Sequence, residues 1–381
     1  MDGLRTLTLV SLILLLAYPF VIYPVLLAAW AKRKGRRVEG RAGADLPRIA
    51  LVICAFNEQG IIRDKVENSL ALGYPRDKLT IIVVSDGSTD RTAEMVREYR
   101  EPGVVLLDRK VRRGKIANLN EVIPSRSEEI IVLSDANVLY DPDAVMHLAA
   151  GFSDPSVGCV SGKVVLSDTI PGDLDRLTGQ YYSVEWQLQE NSSTVYSMVG
   201  ADGAMYALRR ELFSPCPTDT LIEDLVIPMG VVARGGRVVF ERKAIGWEKG
   251  VESPKEEFRR RVRIAAGAAQ GLLRGNAWPR NAPAQFWVIF VSHKLMRWLS
   301  PITGALIMLA SLVWSNEPLA QATLAAIAVV TALALLKLMT GWKHPLFSAP
   351  FYFLFGEIAM VIGLLKGLAG NQTVLWAKAD R

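Results

Sequence analysis

Long segments without a charged side chain are the feature that most limits how this chain can fold. Residues 6–31 contain none, and about 20 consecutive apolar residues in a helix suffice to cross the hydrocarbon core of a membrane. A basic cluster at 32–37 follows directly. Because basic residues stay on the cytoplasmic side, we predict a transmembrane helix with its N-terminus outside. A cleaved signal peptide is the alternative, but its apolar core would be shorter.

Apolar sequence returns near the C-terminus. The segments 298–316 and 318–336 are charge-free, and 345–368 forms a further predicted span that contains Glu357 and Lys366. A carboxylate inside a membrane is costly unless it is paired or faces a cavity. Glu357 is therefore a functional group, a paired structural group, or the sign of a helix that lies shallow. The segment 285–298 mixes aromatic and basic side chains, which predicts a helix in the headgroup region.

Composition narrows the class of partner. The 381 residues are 50% hydrophobic and carry 44 Lys and Arg against 38 Asp and Glu. Such an excess of basic residues suits either nucleic acid or an anionic membrane surface. Because the first basic cluster flanks an apolar segment, we expect a lipid bilayer and no nucleic acid as partner. Three cysteines without CxxC spacing favour a reducing compartment over a zinc or disulfide framework.

Between residues 46 and 168 strands alternate with segments of helical length. The apolar runs 49–55, 79–85, 103–107 and 129–134 are typical of buried strands. This alternation predicts an α/β domain with a mainly parallel sheet covered on both faces. In such a sheet, ligands bind beyond the carboxyl ends of the strands.

Polar residues follow three of these four runs. The first is followed by Asn57 and Glu58, the second by Asp86, and the fourth by Asp135 and Asn137. Carboxylates at neighbouring strand ends can hold the base or ribose of a nucleotide and a divalent cation. Capping of the following helix is the alternative for Asp86. The sequence lacks GxGxxG and P-loop motifs, so phosphate must be bound in another way.

Seven strings occur in order from about residue 48 onward: VICAFNE, VVSDGSTD, RRGKIANLN, LSDANVLY, VGADGAMYALRR, LIEDLVIPM and FRRRVRI. This series, between one N-terminal and several C-terminal apolar segments, resembles the membrane-integrated family 2 glycosyltransferases, such as hyaluronan, chitin-oligosaccharide, cellulose and poly-N-acetylglucosamine synthases. The resemblance implies a Rossmann-like GT-A domain, cytoplasmic, inserted between one N-terminal and about three C-terminal transmembrane helices of a multi-pass inner (plasma) membrane protein. The implied divisions are a transmembrane helix 1–31, a basic linker 32–45, the GT-A domain 46–253, interface helices with an arginine motif 254–298, transmembrane helices 299–370 and a tail 371–381.

The resemblance also implies a donor site. Asp86 would contact the uracil or ribose of a UDP-sugar, with Ala55, Asn57 and Glu58 beside it. Lys115 would approach the diphosphate or base; its flanking glycine and arginines independently suit an anion-binding turn, although a solvated basic loop is the alternative. Asp135 and Asn137 resemble the DxD metal motif, with Asn where many members carry Asp, and are expected to hold Mg²⁺ or Mn²⁺.

On the acceptor side, Glu223 and Asp224 resemble the family's base motif. Asp224 would accept the proton of the acceptor hydroxyl as its oxygen attacks the anomeric carbon with inversion. Gly200, Asp202, Gly203 and Glu223 would line the acceptor groove. An acid placed for the helix dipole is the alternative for Glu223, and a turn residue is the alternative for Asp202.

The FRRRVRI string stands where processive members carry QxxRW. Arg263 matches the final arginine, whereas Arg260 stands at the Gln position and Ile264 at the Trp position. Isoleucine offers no flat aromatic face for stacking a growing sugar chain, which puts long-chain processivity in doubt. Arg263 can still neutralise a leaving diphosphate, while Arg259, Arg260 and Arg261 are interpreted as facing lipid headgroups.

The expected function is that of an inverting, metal-dependent glycosyltransferase with a UDP-sugar donor and a polysaccharide, oligosaccharide or lipid-linked acceptor. One version makes and exports a polymer; the other adds one sugar to a lipid carrier. Channel-forming members often have more spans, so a homo-oligomer or an export partner would have to compensate. A membrane-bound nucleotidyltransferase and a catalytically silent nucleotide-binding scaffold are the alternatives.

Overall fold

The computed structural model describes residues 2–35, 45–167, 173–249, 253–342 and 344–374. Most of the predicted linker 32–45, including Arg36 and Arg37, and the end of the tail lie outside these ranges. The described chain forms an α/β domain with apolar helices before and after it.

One mixed sheet forms the centre of the α/β domain. Its eight strands are arranged in the order β3-β2-β1-β4-β7-β6-β8-β5. In chain order they are β1 Ile49–Ala55, β2 Leu79–Asp86, β3 Val104–Arg109, β4 Ile130–Asp135, β5 Val138–Tyr140, β6 Val157–Ser167, β7 Met205–Arg209 and β8 Arg237–Lys249. The first four strands pair in parallel, which confirms the strand prediction, and β7 pairs antiparallel with β4.

Helices cover both faces of the sheet. They are α3 Ile62–Leu70, α4 Thr92–Arg97, α5 Lys115–Val122, α6 Ala144–Ala150, α7 Asp173–Val195, α8 Glu223–Ala233 and α9 Pro254–Arg274. Successive residues of a strand point to opposite faces, so Ile49 and Leu51 of β1 pack with α3 and α6, whereas Ala50 and Val52 pack with α5 and α8. Two separate buried cores therefore lie on the two faces of the sheet.

The N-terminal span is a continuous helix over Gly3–Arg33, long and apolar enough to cross a membrane. It consists of α1 Asp2–Ala17, a π-helical turn Tyr18–Ile22 and α2 Tyr23–Lys34. Pro19 lacks a backbone N–H and therefore disrupts the regular hydrogen bonding at the turn. In α2, Tyr23 and Leu27 are buried, and α2 packs against α7 of the α/β domain.

The C-terminal apolar helices differ in part from the prediction. They are α10 Ala284–Phe290, a π-helical turn Val291–Leu295, α11 Met296–Trp298, α12 Ser300–Val313, α13 Pro318–Thr340 and α14 Pro345–Leu368. Both α13 and α14 are long enough to span. The predicted span 298–316 is wrong in its bounds: α12 has 14 residues and joins 284–298 at a bend of 59°, because Pro301 begins a new helix.

The headgroup position of 285–298 stays a prediction: one side of this segment packs inside the protein, whereas Trp287 and Val288 are exposed. Phe286, Ile289 and Phe290 are fully buried inside the protein. The polar side chains of this segment face protein as well, since Lys294 and Arg297 both contact the buried Glu185 of α7. Composition alone cannot distinguish a helix covered by lipid from one covered by the domain.

Glu357 of α14 is paired. The hydroxyl of Ser300 lies 2.9 Å from each of its carboxylate oxygens. Further along α14, a Cβ atom on Gly363 would lie 2.5 Å from Ala265 of α9, so the two helices are in close contact. The last turn of α14 lines a cavity together with Leu221 of the α/β domain, and that end of the helix therefore lies on the domain's side.

Candidate active site

Strand order brings the predicted donor residues to one edge. Because β1 lies between β2 and β4, Asp86 and Asp135 end the strands on either side of Ala55. In the sheet register Cys54 is opposite Asp135 and Ala55 is opposite Ser85. The two acids are thus separated by one strand, as the parallel sheet predicts.

Asp86 holds the turn that precedes Lys115. It is 5% exposed and accepts hydrogen bonds from the backbone N–H groups of Arg113 and Gly114 and from Asn118 Nδ2, each 2.8 Å long. Gly87 fits beneath this turn because its φ is +69° and a Cβ atom there would lie 2.5 Å from the backbone nitrogen of Arg112. Asp86 is not the cap of α4, a role that falls to Asp90.

Asn57 and Glu58, which follow β1, form hydrogen bonds with the segment that follows β2. Asn57 has φ 55°, and its Oδ1 accepts a 2.8 Å hydrogen bond from the backbone N–H of Thr89. The backbone N–H of Glu58 donates to Thr92 Oγ1 at 2.8 Å. Beside them, the Arg112 guanidinium lies 3.6 Å from the ring centroid of Phe56. This cation–π contact could not be predicted from the sequence, because the two residues are far apart in the chain.

Lys115 connects the donor edge to the acid pair. Its Nζ lies 2.8 Å from Asp135 Oδ1 and 2.5 Å from Glu223 Oε1, and it donates to the Gly203 carbonyl at 3.3 Å. Burial opposes the charged form, but the carboxylates of Asp135 and Glu223 outweigh it and hold the pKa of Lys115 well above its usual value. Three chain segments that are distant in sequence therefore form one site.

Glu223 and Asp224 are the first two residues of α8, where the helix dipole favours acids. Burial would raise the pKa of Glu223, but the ion pair with Lys115 holds it below the usual value. Burial and the negative charge of Glu223 raise the pKa of Asp224. Glu223 is therefore a carboxylate held by an ion pair, whereas the neighbouring Asp224 can exchange a proton near neutral pH.

The GADGA turn, residues 200–204, packs against Asp224. The backbone carbonyl of Asp224 accepts a 2.8 Å hydrogen bond from Ala201, and a Cβ atom on Gly203 would lie 3.0 Å from Asp224 Oδ2. Gly200 has φ +77°, and a Cβ atom there would lie 3.1 Å from the same carbonyl. The glycines are thus needed for the close approach of this turn to the acid.

Asp202, in the same turn, has the predicted turn role, and its part in acceptor binding stays a prediction. Its Oδ1 accepts a turn hydrogen bond from the backbone N–H of Ala204 at 3.1 Å. Burial, followed by the charges of Glu248, Asp224 and Asp135, raises its pKa to about 7. Three carboxylates therefore lie close enough to Asp202 to oppose its ionisation in addition to burial.

The side chains of Asp135, Asn137 and Glu248 show whether a divalent cation would fit at this edge of the sheet. Within the described ranges, three or more His, Cys, Asp or Glu do not converge on a metal position. Asp135 keeps 40% of its side chain exposed, and Asn137 Nδ2 donates to Glu248 Oε1 at 2.8 Å. Mg²⁺ is commonly held by one or two carboxylates, with substrate phosphates and waters completing its shell. The donor set fits such an ion.

Glu248 and Lys294 have no motif that would have revealed them. Glu248 is on β8 and reaches Asn137 because Val138 of β5 is its partner in the sheet. Lys294 is on the π-helical turn Val291–Leu295, and its charge lowers the pKa of Asp224. Only the packing of distant segments brings these two charges to the site.

The arginine string lies behind the acid pair. Arg263 Nη1 donates to the Leu221 carbonyl at 3.0 Å, and its charge lowers the pKa of both Glu223 and Asp224. Ile264 packs against the buried core. Arg260 and Arg261 both pair with Glu257, at 2.8 and 2.7 Å. Within this string, Arg263 is thus the residue placed to act on the pKa values of Glu223 and Asp224.

We expect Arg263→Gln to move the acid limb of the pH–rate profile to higher pH. Removing the positive charge raises the pKa of Asp224 further, so a larger fraction of Asp224 is protonated at a given pH and the loss of kcat is greatest at low pH. Steady-state kinetics across pH measure the limb. Arg263→Lys keeps the charge and should leave the limb in place, as should Arg260→Gln; an identical limb in Arg263→Gln would contradict the assignment.

A mixed α/β sheet with acids on its carboxyl edge, between apolar helices, is the architecture expected of a GT-A domain in a membrane protein. The sequence model described as "Glycosyltransferase like family 2" matches residues 47–267. The chain belongs to this family, which confirms the family inferred from the seven strings.

Relatives of this chain include a probable glycosyltransferase and a polysaccharide synthase. The chain is 29% identical over 233 residues to the probable glycosyltransferase YdaM of Bacillus subtilis (strain 168), covering 58% of this chain and 56% of that protein. It is 27% identical over 237 residues to the poly-beta-1,6-N-acetyl-D-glucosamine synthase of Staphylococcus aureus (strain MSSA476), covering 60% and 57%. The matched region therefore spans a little over half the length of each relative.

Among solved structures, the fold is similar to that of the mannosyltransferase PcManGT from Pyrobaculum calidifontis, solved in complex with GDP-Man and Mn²⁺. The TM-score is 0.75 with 23% sequence identity, and the match covers 96% of this chain and 99% of that chain. The similarity extends over the apolar helices as well as the α/β domain and confirms the predicted fold class.

Proposed function

We propose that this protein is an inverting, metal-assisted glycosyltransferase that moves a sugar from a UDP-sugar to a glycan or lipid-linked acceptor at a membrane. One observation carries the proposal: Lys115 contacts both Asp135 at the donor edge and Glu223 of the acid pair. A nucleotide sugar held at the strand ends would therefore present its anomeric carbon toward Asp224.

In this proposal, Ala55, Asn57, Glu58 and Asp86 shape the nucleoside end of the donor site. Lys115 faces the diphosphate. Asp135 would hold a Mg²⁺ or Mn²⁺ ion, with Asn137 and Glu248 beside it, and such an ion would offset charge on the diphosphate leaving group. Gly200, Asp202, Gly203 and Glu223 shape the acceptor side, where glycines allow a sugar ring to approach the backbone.

Asp224 is the general base. Its carboxylate accepts the proton of the acceptor hydroxyl while that oxygen forms a bond to the anomeric carbon. The bond from this carbon to the diphosphate oxygen breaks, and its electron pair leaves with the nucleoside diphosphate. Attack opposite to the leaving group inverts the anomeric configuration. The positive charge of Arg263 lowers the pKa of Asp224 and so favours the deprotonated carboxylate, which is the form that acts as a base.

The proposed setting is the inner membrane, with the α/β domain in the cytoplasm and the N-terminus outside. The relatives support a polysaccharide product, because one of them is a poly-beta-1,6-N-acetyl-D-glucosamine synthase. Ile264, which is partly buried against the core, lacks the flat aromatic face of a Trp, and this favours short products over a long polymer. A homo-oligomer or an export partner would be needed if a polymer is secreted.

A donor panel tests the proposal. We expect detergent-purified protein to release nucleoside diphosphate from one of several UDP-sugars when Mg²⁺ or Mn²⁺ and an acceptor are present, with product size read in parallel. GDP-mannose belongs in the panel because the structurally similar PcManGT was solved with it. Transfer from GDP-mannose alone would overturn the uridine assignment. Release of pyrophosphate would instead indicate a nucleotidyltransferase, and failure to turn over any donor would indicate a silent scaffold.

A further inference from the structure

A cavity of about 320 Å³ lies outside the proposed active site, between the C-terminal ends of α9 and α14 and the loop before α8. Its wall combines apolar and charged side chains. They include Asp219, Leu221, Leu273, Arg274, Lys366 and Leu368. The cavity has no part in binding the donor or acceptor as proposed above.

The cavity lies beside the α/β domain, because Leu221 before α8 and Gln270 of α9 line it. Leu273, Leu365 and Leu368 expose 63%, 61% and 59% of their surface there, which suits contact with the leaflet that faces the domain.

The charges around the cavity favour an anionic occupant. Arg274 forms a two-pronged ion pair with Asp219, with distances of 2.8 and 2.5 Å, so these two charges offset one another. Lys366 is exposed, and within the described part of the chain no carboxylate is recorded as its partner. One net positive charge next to exposed leucines matches a phosphate head attached to acyl chains.

We propose that an anionic phospholipid from this leaflet occupies the cavity, with its phosphate at Lys366 and Arg274 and its acyl chains along Leu273 and Leu368. The inner wall of the cavity is the segment that leads to the acid pair. Gln270 accepts from the Leu221 N–H at 3.1 Å and donates to the Asp219 carbonyl at 2.9 Å, and Glu223 begins α8 two residues after Leu221. A bound lipid therefore supports the segment that positions the catalytic acids.

Lipid retention tests this proposal without relying on transfer activity. The full chain is purified into nanodiscs of phosphatidylcholine mixed with phosphatidylglycerol and released into detergent, and native mass spectrometry counts the bound lipids. We expect one phosphatidylglycerol to be retained in preference to phosphatidylcholine. Lys366→Gln should weaken its retention about five-fold, the effect of one basic residue near an anionic surface, and Lys366→Arg should restore it.

The matched control is Lys337→Gln, which removes a lysine from the last turn of α13, away from the cavity. It should retain phosphatidylglycerol as the wild type does, and added inorganic phosphate should not displace the lipid. Equal retention by Lys366→Gln and the wild type would overturn the proposal. So would equal loss in both glutamine variants, equal retention of phosphatidylcholine, or displacement by free phosphate.

Discussion

Replacing Asp224 with asparagine should lower kcat for sugar transfer by about 10² or more, the usual effect of losing a general base. Asparagine keeps the size of the side chain, and the backbone contacts of residue 224 with the GADGA turn do not depend on the carboxylate. We therefore expect the affinity for UDP to be unchanged, since the proposed nucleoside site is at Asp86 and the proposed metal site at Asp135. Steady-state kinetics and calorimetric UDP titration measure the two effects separately.

Two controls make this result interpretable. Asp77→Asn makes the same chemical change at an exposed position and should leave both quantities unaltered. An unchanged melting temperature would show that Asp224→Asn is folded. Normal turnover by a folded Asp224→Asn protein would exclude Asp224 as the base, whereas parallel loss of UDP binding would place it in the donor site instead.

Asp135→Ala should remove the dependence of the reaction on divalent cations together with most of the activity. Charge stabilisation by a metal contributes several kcal/mol to such a reaction, so we expect a loss of more than about 10²-fold. The remaining rate should be the same in Mg²⁺, in Mn²⁺ and in a chelator. The affinity for UDP should likewise no longer increase when the cation is added, which calorimetry measures independently of turnover.

The same substitution releases Lys115 from one of its two carboxylate partners, so a second variant is needed. Asn137→Ala leaves the contact between Lys115 and Asp135 intact and should weaken cation affinity less than Asp135→Ala, because its amide is already engaged by Glu248. Asp77→Ala serves as the matched surface control. A normal metal response in Asp135→Ala would move the cation to another position, with Glu248 the next acid to examine.

The edge of the sheet that carries the candidate site could be predicted from local pattern. Strands β1, β2 and β4 lie within one residue of their apolar runs, whereas the half-buried β3 extends two residues beyond its run. Buried parallel strands are nearly continuous apolar runs. The chemistry at the strand ends follows from the same pattern, since Asp86 and Asp135 come directly where the apolar runs stop. The family and its GT-A fold were likewise accessible from the seven strings.

The membrane region was predicted less well. The charge-free run 6–31 is a helix, as predicted, but 298–316 begins at a proline-initiated bend. One side of 285–298 packs inside the protein, whereas Trp287 and Val288 are exposed. Hydropathy measures how much a segment avoids water. It does not distinguish lipid from protein as the apolar surroundings, so composition could not predict that Phe286 and Phe290 are buried.

The sequence by itself determined the class of the fold and the strand ends at which the candidate site residues lie, because these depend on neighbours along the chain. Only the tertiary structure decided that Lys115 links Asp135 to Glu223, that Arg263, Glu248 and Lys294 surround the acids, and that Glu223 and Asp224 have pKa values shifted in opposite directions. Charge interactions depend on distance and burial. Both quantities arise only when segments remote in sequence are packed together.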